Sequence, residues 1–292
     1  MGALHMTGPK KAMKTCSISC SSQLQQPWRS IGFSGSRVCR FQASEAVRFA
    51  AGAICRAALP FILVAAATTS QAQTISTDRP SFSDGTLIVP KGHWQLESGA
   101  TWNRVSGANS STIGEFLLRF PTSDRFELRL LNLSLATPAN QWLDPLLGFK
   151  LKLVNGQPDL ALVVQSTVPT GGTAFRADRW QPTVKLAWYR QSDPKTGFGG
   201  NFIASDLGPN GARFTQWAAS LYVSRTLDDL TGCFAEVYGL APLSSGGPNA
   251  GFFDLGLTRL LNPSTQVDLR FGSGFNVSRD GWFVGAGVGV RF

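Results

Sequence analysis

The chain has 292 residues, 43% hydrophobic and 15% charged with 31 glycines, a balance poorer in charge than that of an ordinary water-soluble domain. No apolar run reaches the ~20 residues of a membrane-spanning helix, which excludes a helical membrane protein. Residues 1–72 hold 8 of the 27 basic and 1 of the 18 acidic side chains, so the remainder is nearly neutral at +2, and nucleic-acid binding argued from overall charge is excluded.

In chain order, the first informative stretch is AALPFILVAAA at 57–67. Arg48 and Arg56 precede it, and the small residues Ser70 and Ala72 follow, the pattern of a secretory signal cleaved to leave Gln73 first. Signals usually run about 15–30 residues. Residues 47–72 alone meet that length, so translation is expected to start near Val47. Four of the five cysteines (Cys16, Cys20, Cys39 and Cys55) fall in this leader, and Cys233 is read as a small wall residue.

From His93 onward the chain alternates apolar and polar residues in segments of about ten, separated by Gly, Pro, Asn, Asp and Ser clusters. Strands are expected over 93–103, 111–120, 125–134, 144–154, 159–169, 180–191, 197–205, 214–226, 231–240, 251–261, 264–275 and 281–292. Tight turns at 121–124, 155–158, 192–196, 227–230 and 262–263 alternate with longer loops at 104–110, 136–144, 171–179, 206–213 and 241–249. An even strand count with short turns on one rim and long loops on the other predicts an all-β fold: a transmembrane, antiparallel, up-and-down barrel of about 12 strands over 93–292, in a bacterial outer membrane.

Cost decides which face meets lipid. In RFELRLL, Phe126, Leu128 and Leu130 alternate with Arg125, Glu127 and Arg129. The reverse register would put charges in hydrocarbon, at about 2–4 kcal/mol for each basic group. The enclosed set is therefore Glu97, Glu115, Arg119, Glu127, Arg129, Lys150, Lys152, Lys185, Glu236, Asp254, Asp268 and Arg270, expected to line a pore or to pair across strands and fill the interior. Residues 73–92 either hang in the periplasm or tuck into the barrel as a small plug, where Asp78 and Arg79 would pair with that set.

The segment GWFVGAGVGVRF at 281–292 puts Trp282, Val284, Ala286, Val288, Val290 and Phe292 on the lipid face and Gly285, Gly287 and Gly289 inside, where they leave room for bulky neighbours. Its alternation and its terminal aromatic residue (Trp282, Val288, Val290, Phe292) resemble the signal that outer-membrane assembly machinery reads. After the expected cleavage one histidine remains, His93 at the entrance to the first strand, which is read as a rim residue. A zinc-type site needs several His or Cys ligands, so no metal, cofactor or catalytic set is expected.

The stretches STDRPSFSDGTLIVPKGHWQLESGATW (76–102), GEFLLRFPTSDRFELRL (114–130), STVPTGG (166–172), CFAEVYG (233–239) and NPSTQVDLRFGSGFN (262–276) resemble the bacterial transporter family of the meta-pathway of phenol degradation, the MetA type. Thr77, Asp78, Arg79 and Pro80 match its opening, and Val89, Pro90, Lys91 and Gly92 its next element; the likeness departs at Phe120 and Pro121, where the family has a glycine. The resemblance implies an outer-membrane channel for small, aromatic or hydrophobic compounds, with lipid, assembly machinery and solutes as partners. The alternatives are a closed barrel acting through its surface loops and, less favoured, a hydrolase built into the wall around His93.

Overall fold

The computed structural model describes residues 74–276 and 281–292. The expected leader, cleavage site and translation start lie outside these residues. The strands are β1 (Gln95–Val105), β2 (Ala108–Ser123), β3 (Phe126–Ala136), β4 (Gln141–Trp142), β5 (Leu146–Val154), β6 (Asp159–Thr167), β7 (Gln181–Asp193), β8 (Thr196–Leu207), β9 (Phe214–Thr226), β10 (Thr231–Ala241), β11 (Ala250–Asn262), β12 (Thr265–Gly274) and β13 (Trp282–Arg291). β4 pairs only with the end of β3, over Leu135 and Ala136. The other twelve are the staves: each pairs antiparallel with the next, β3 with β5, and β13 returns to β1 from Gln95↔Arg291 to Arg104↔Trp282. Among the described residues, closure leaves the twelve staves no unpaired edge, the condition for a sheet to span hydrocarbon.

The observed staves match the expected ones closely, with two corrections: β2 runs on to Ser123, so the turn expected at 121–124 narrows to 124–125, and the second lies on the opposite rim. The stretch 104–110 is not a long loop, because β1 and β2 run on to Val105 and Ala108. Only Ser106 and Gly107 connect them, both with positive φ (51° and 79°), the turn geometry that suits the twist of a hairpin. Asn109, Ser110 and Ser111 read as loop by composition, yet a strand that projects beyond the bilayer meets water on its outer face and can be polar on both sides. The short connections 124–125, 155–158, 194–195, 227–230 and 263–264 share one rim, the periplasmic one in barrels of this kind, and the longer loops share the other.

Alternation along the staves separates two environments. Glu127 is wholly buried, while Leu128 beside it is 48% exposed on the lipid face. Aromatic rings gather at both rims, as they do at membrane interfaces. Trp94 stacks on Phe292 with centroids 4.0 Å apart at the short-turn rim, and Trp102 meets Trp282 at 6.3 Å at the long-loop rim. Inside, toward the long loops, Ile203, Tyr238, Leu240, Phe252 and Phe283 form an apolar cluster against which Phe82 packs. Phe82 is not a wall residue. It belongs to the stretch before β1, which runs through the enclosed space.

Candidate functional site

All twelve charged residues expected on the enclosed face are buried there. What organises them is the segment from Ile75 to Val89, whose side chains and backbone both need partners away from water. Asp78 is clasped twice: its carboxylate accepts from Arg129 and Lys150, each at 2.8 Å, and its own N–H donates to Glu97 at 3.0 Å. Arg79 reaches along the same stretch of wall, to Glu115 on β2 at 2.7 Å and Asp268 on β12 at 3.4 Å. Its guanidinium fits because Gly99 and Gly287 have no Cβ; one added at either position would overlap it.

Asp84 makes a third anchor, with Arg129 at 2.8 Å and with Lys185, while its N–H donates to Asn201 Oδ1 at 2.8 Å. Glu236 accepts from the backbone N–H groups of Phe82 (2.7 Å) and Ser83 (3.1 Å) and from the Ser83 hydroxyl. Wall groups also satisfy the carbonyls of the segment: Arg119 donates to Ser76 and Leu87, Lys152 to Thr86, and Arg270 to Pro80. Burial opposes ionisation of Asp78, but Arg119, Lys150 and Arg129 outweigh it and hold the carboxyl below the usual aspartate range. Asp84 is held low in the same way, against its burial, by Lys185, Arg129 and Lys150.

The wall charges also pair among themselves. Arg119 bridges Glu97 (3.3 Å) and Glu127 (2.9 Å), and Lys152 meets Asp159 at 2.8 Å. Asp254 stands opposite Glu236 in the β10–β11 register, two buried carboxyl groups side by side near the Arg270 guanidinium. His93 is exposed in the turn before β1, where Nδ1 lies 3.0 Å from the Phe292 carbonyl oxygen. Among the described residues, no group of three or more His, Cys, Asp or Glu could hold a metal ion.

Two cavities flank the inserted segment. The one toward the short turns holds about 530 Å³, with Tyr189, Tyr222, Phe234 and Thr258 on its wall. The one on the opposite side holds about 60 Å³ and is lined by Arg129, Asn132, Gln165 and Lys185. Arg79, Ser81 and Ser83 border both.

Sequence reasoning missed Asp84, Ser83 and Asn201. Asp84 was visible as a further charge in the same polar stretch as Asp78. Asn201 carries no charge, so the cost argument does not reach it, although the inward parity of Gly197 and Gly199 on β8 points to it.

A family model described as MetA-pathway of phenol degradation matches residues 77–292. A sequence comparison with curated proteins gives no match. Among solved structures, an outer membrane channel from Pseudomonas putida F1 superposes with a TM-score of 0.52 at 16% identity, over 71% of this chain and 98% of that one. The KdgM porin, solved in complex with oligogalacturonate, gives 0.51 at 7% identity, over 68% and 99%. At such identities the likeness speaks to the fold.

Proposed function

The chain belongs to the family of the MetA-pathway of phenol degradation, and from that premise we propose that it is an outer-membrane channel for small molecules in which the segment before β1 is the plug. One observation carries this reading: Arg79, Ser81 and Ser83 border both cavities and belong to a piece of chain held by ion pairs and hydrogen bonds and not built into the wall. The pairing of the lumenal charges with that segment makes them its seat and, once it moves, the lining of the path. The family description favours small aromatic or hydrophobic solutes, and the reading assigns the barrel no catalysis.

The test is conductance in planar bilayers of the processed chain and of a variant lacking residues 74–90. The full chain should give small events and the truncated one openings several-fold larger. Equal conductance from both overturns the plug, and silence from both overturns the channel. The second reading, a closed barrel acting through its loops, draws on the stack of Phe82 on Tyr238 (4.2 Å) and Tyr238 on Phe252 (5.0 Å), which fills the interior near the long loops. Flux of phenol-sized solutes into liposomes separates the two, because a closed barrel passes none.

A further inference from the structure

We propose that the lipid-facing wall of β7 to β10, near the long-loop rim, holds a phosphorylated glycolipid of the outer leaflet, an acyl chain in its groove and a phosphate on Arg213. The wall there is uneven. Cross-strand register sets large beside small: Phe202 opposite Ala219, and Trp217 opposite both Ala204 and Ala241. The result is a trough of about 620 Å³ with Val184 and Leu186 along one side. Phe202 and Trp217 stand clear of its floor at 61% and 63% exposed. Small residues under a trough let a saturated chain lie close to the backbone, where many weak dispersion contacts add up.

The same outward rows lead from the trough to charge. Two residues beyond Ala204, about 7 Å along the strand, β8 presents Asp206, whose carboxylate is shared by Arg213 and by Arg179 at 2.7 Å. Two guanidinium groups on one carboxylate leave a positive excess. Counting Arg176 and Asp178, the rim over 176–180 and 206–213 still carries +1. Arg213 is 60% exposed and keeps N–H groups for a second anion. Guanidinium matches phosphate geometry in paired hydrogen bonds. Trp180, half exposed beside Arg179, marks the interfacial level at which such a headgroup sits.

Native mass spectrometry of the detergent-purified barrel, with lipid A, dephosphorylated lipid A or phosphatidylglycerol added, tests the assignment. Lipid A should be retained best. Arg213→Gln should lower its occupancy about tenfold, the loss of a charge-assisted contact, and Ala219→Leu should lower it by filling the trough. Heat-dependent gel migration checks that each variant is folded, and Ala204→Leu replaces Ala219→Leu if the latter does not fold. Dephosphorylated lipid should bind weakly and ignore Arg213→Gln. Occupancy unchanged in both kinds of variant, or phosphatidylglycerol retained equally well, overturns the proposal. So does a purified dimer that Ala219→Leu turns into monomer, for then a second copy covers this face.

Discussion

A guanidinium enclosed by a lipid-embedded wall is stable only if its partners are enclosed with it, and Arg79 sits between Glu115 and Asp268 with a glycine on each flanking stave to admit it. A Cβ at Gly287 would occupy the space of the guanidinium. Gly287→Val should therefore expel Arg79 and make the 74–92 stretch sensitive to added protease at levels the parent resists. Asp78 offers the complementary case. Its removal in Asp78→Ala leaves Arg129 and Lys150 buried around an absent anion, at a cost of about 3–5 kcal/mol. Urea unfolding followed by tryptophan fluorescence measures that loss, which should change little with salt because the groups are shielded from solvent.

At the scale of elements, β3 shows how alternation commits a strand. Leu128 faces lipid, so Leu128→Arg should destabilise the barrel by about 2–4 kcal/mol in the same unfolding assay, where a substitution at a rim position would not. The β1–β2 connection depends on backbone geometry. Gly107 adopts φ 79° with open space where a Cβ would stand, so the effect of Gly107→Val comes from left-handed strain alone, about 1–2 kcal/mol. Departures from regular pairing inside the wall serve the segment. Between Ile113 and Phe116 the β2–β3 register shifts, and Glu115, with φ 38°, turns toward Arg79.

For the molecule as a whole, closure is the property with the widest consequences. A ring in which β13 pairs with β1 should unfold as one unit, so the unboiled protein should migrate faster on a denaturing gel than the boiled protein, and a single band at the unfolded position would speak against the ring. The stacking of Phe292 on Trp94 brings the last residue against the start of the first stave. If the terminal row is also the assembly signal, Phe292→Ala should reduce the amount of protein reaching the outer membrane in cells while leaving refolding in detergent nearly unchanged.

The staves, their faces and the closed all-β class were legible in the residues themselves, because period-two alternation is local and charge in hydrocarbon is costly enough to leave one register. The expected strand over 214–226 and the observed β9 coincide, and Glu127 and Leu128 went to the sides that cost requires. The tertiary structure alone decided where the segment before β1 goes. Its contacts join Arg79 to Asp268 and Asp84 to Lys185, residues about a hundred or more positions apart in the chain. A charged side chain carries no local mark of its partner, since any opposite charge on the enclosed face would satisfy it equally. Only closing the ring sets which ones lie within reach.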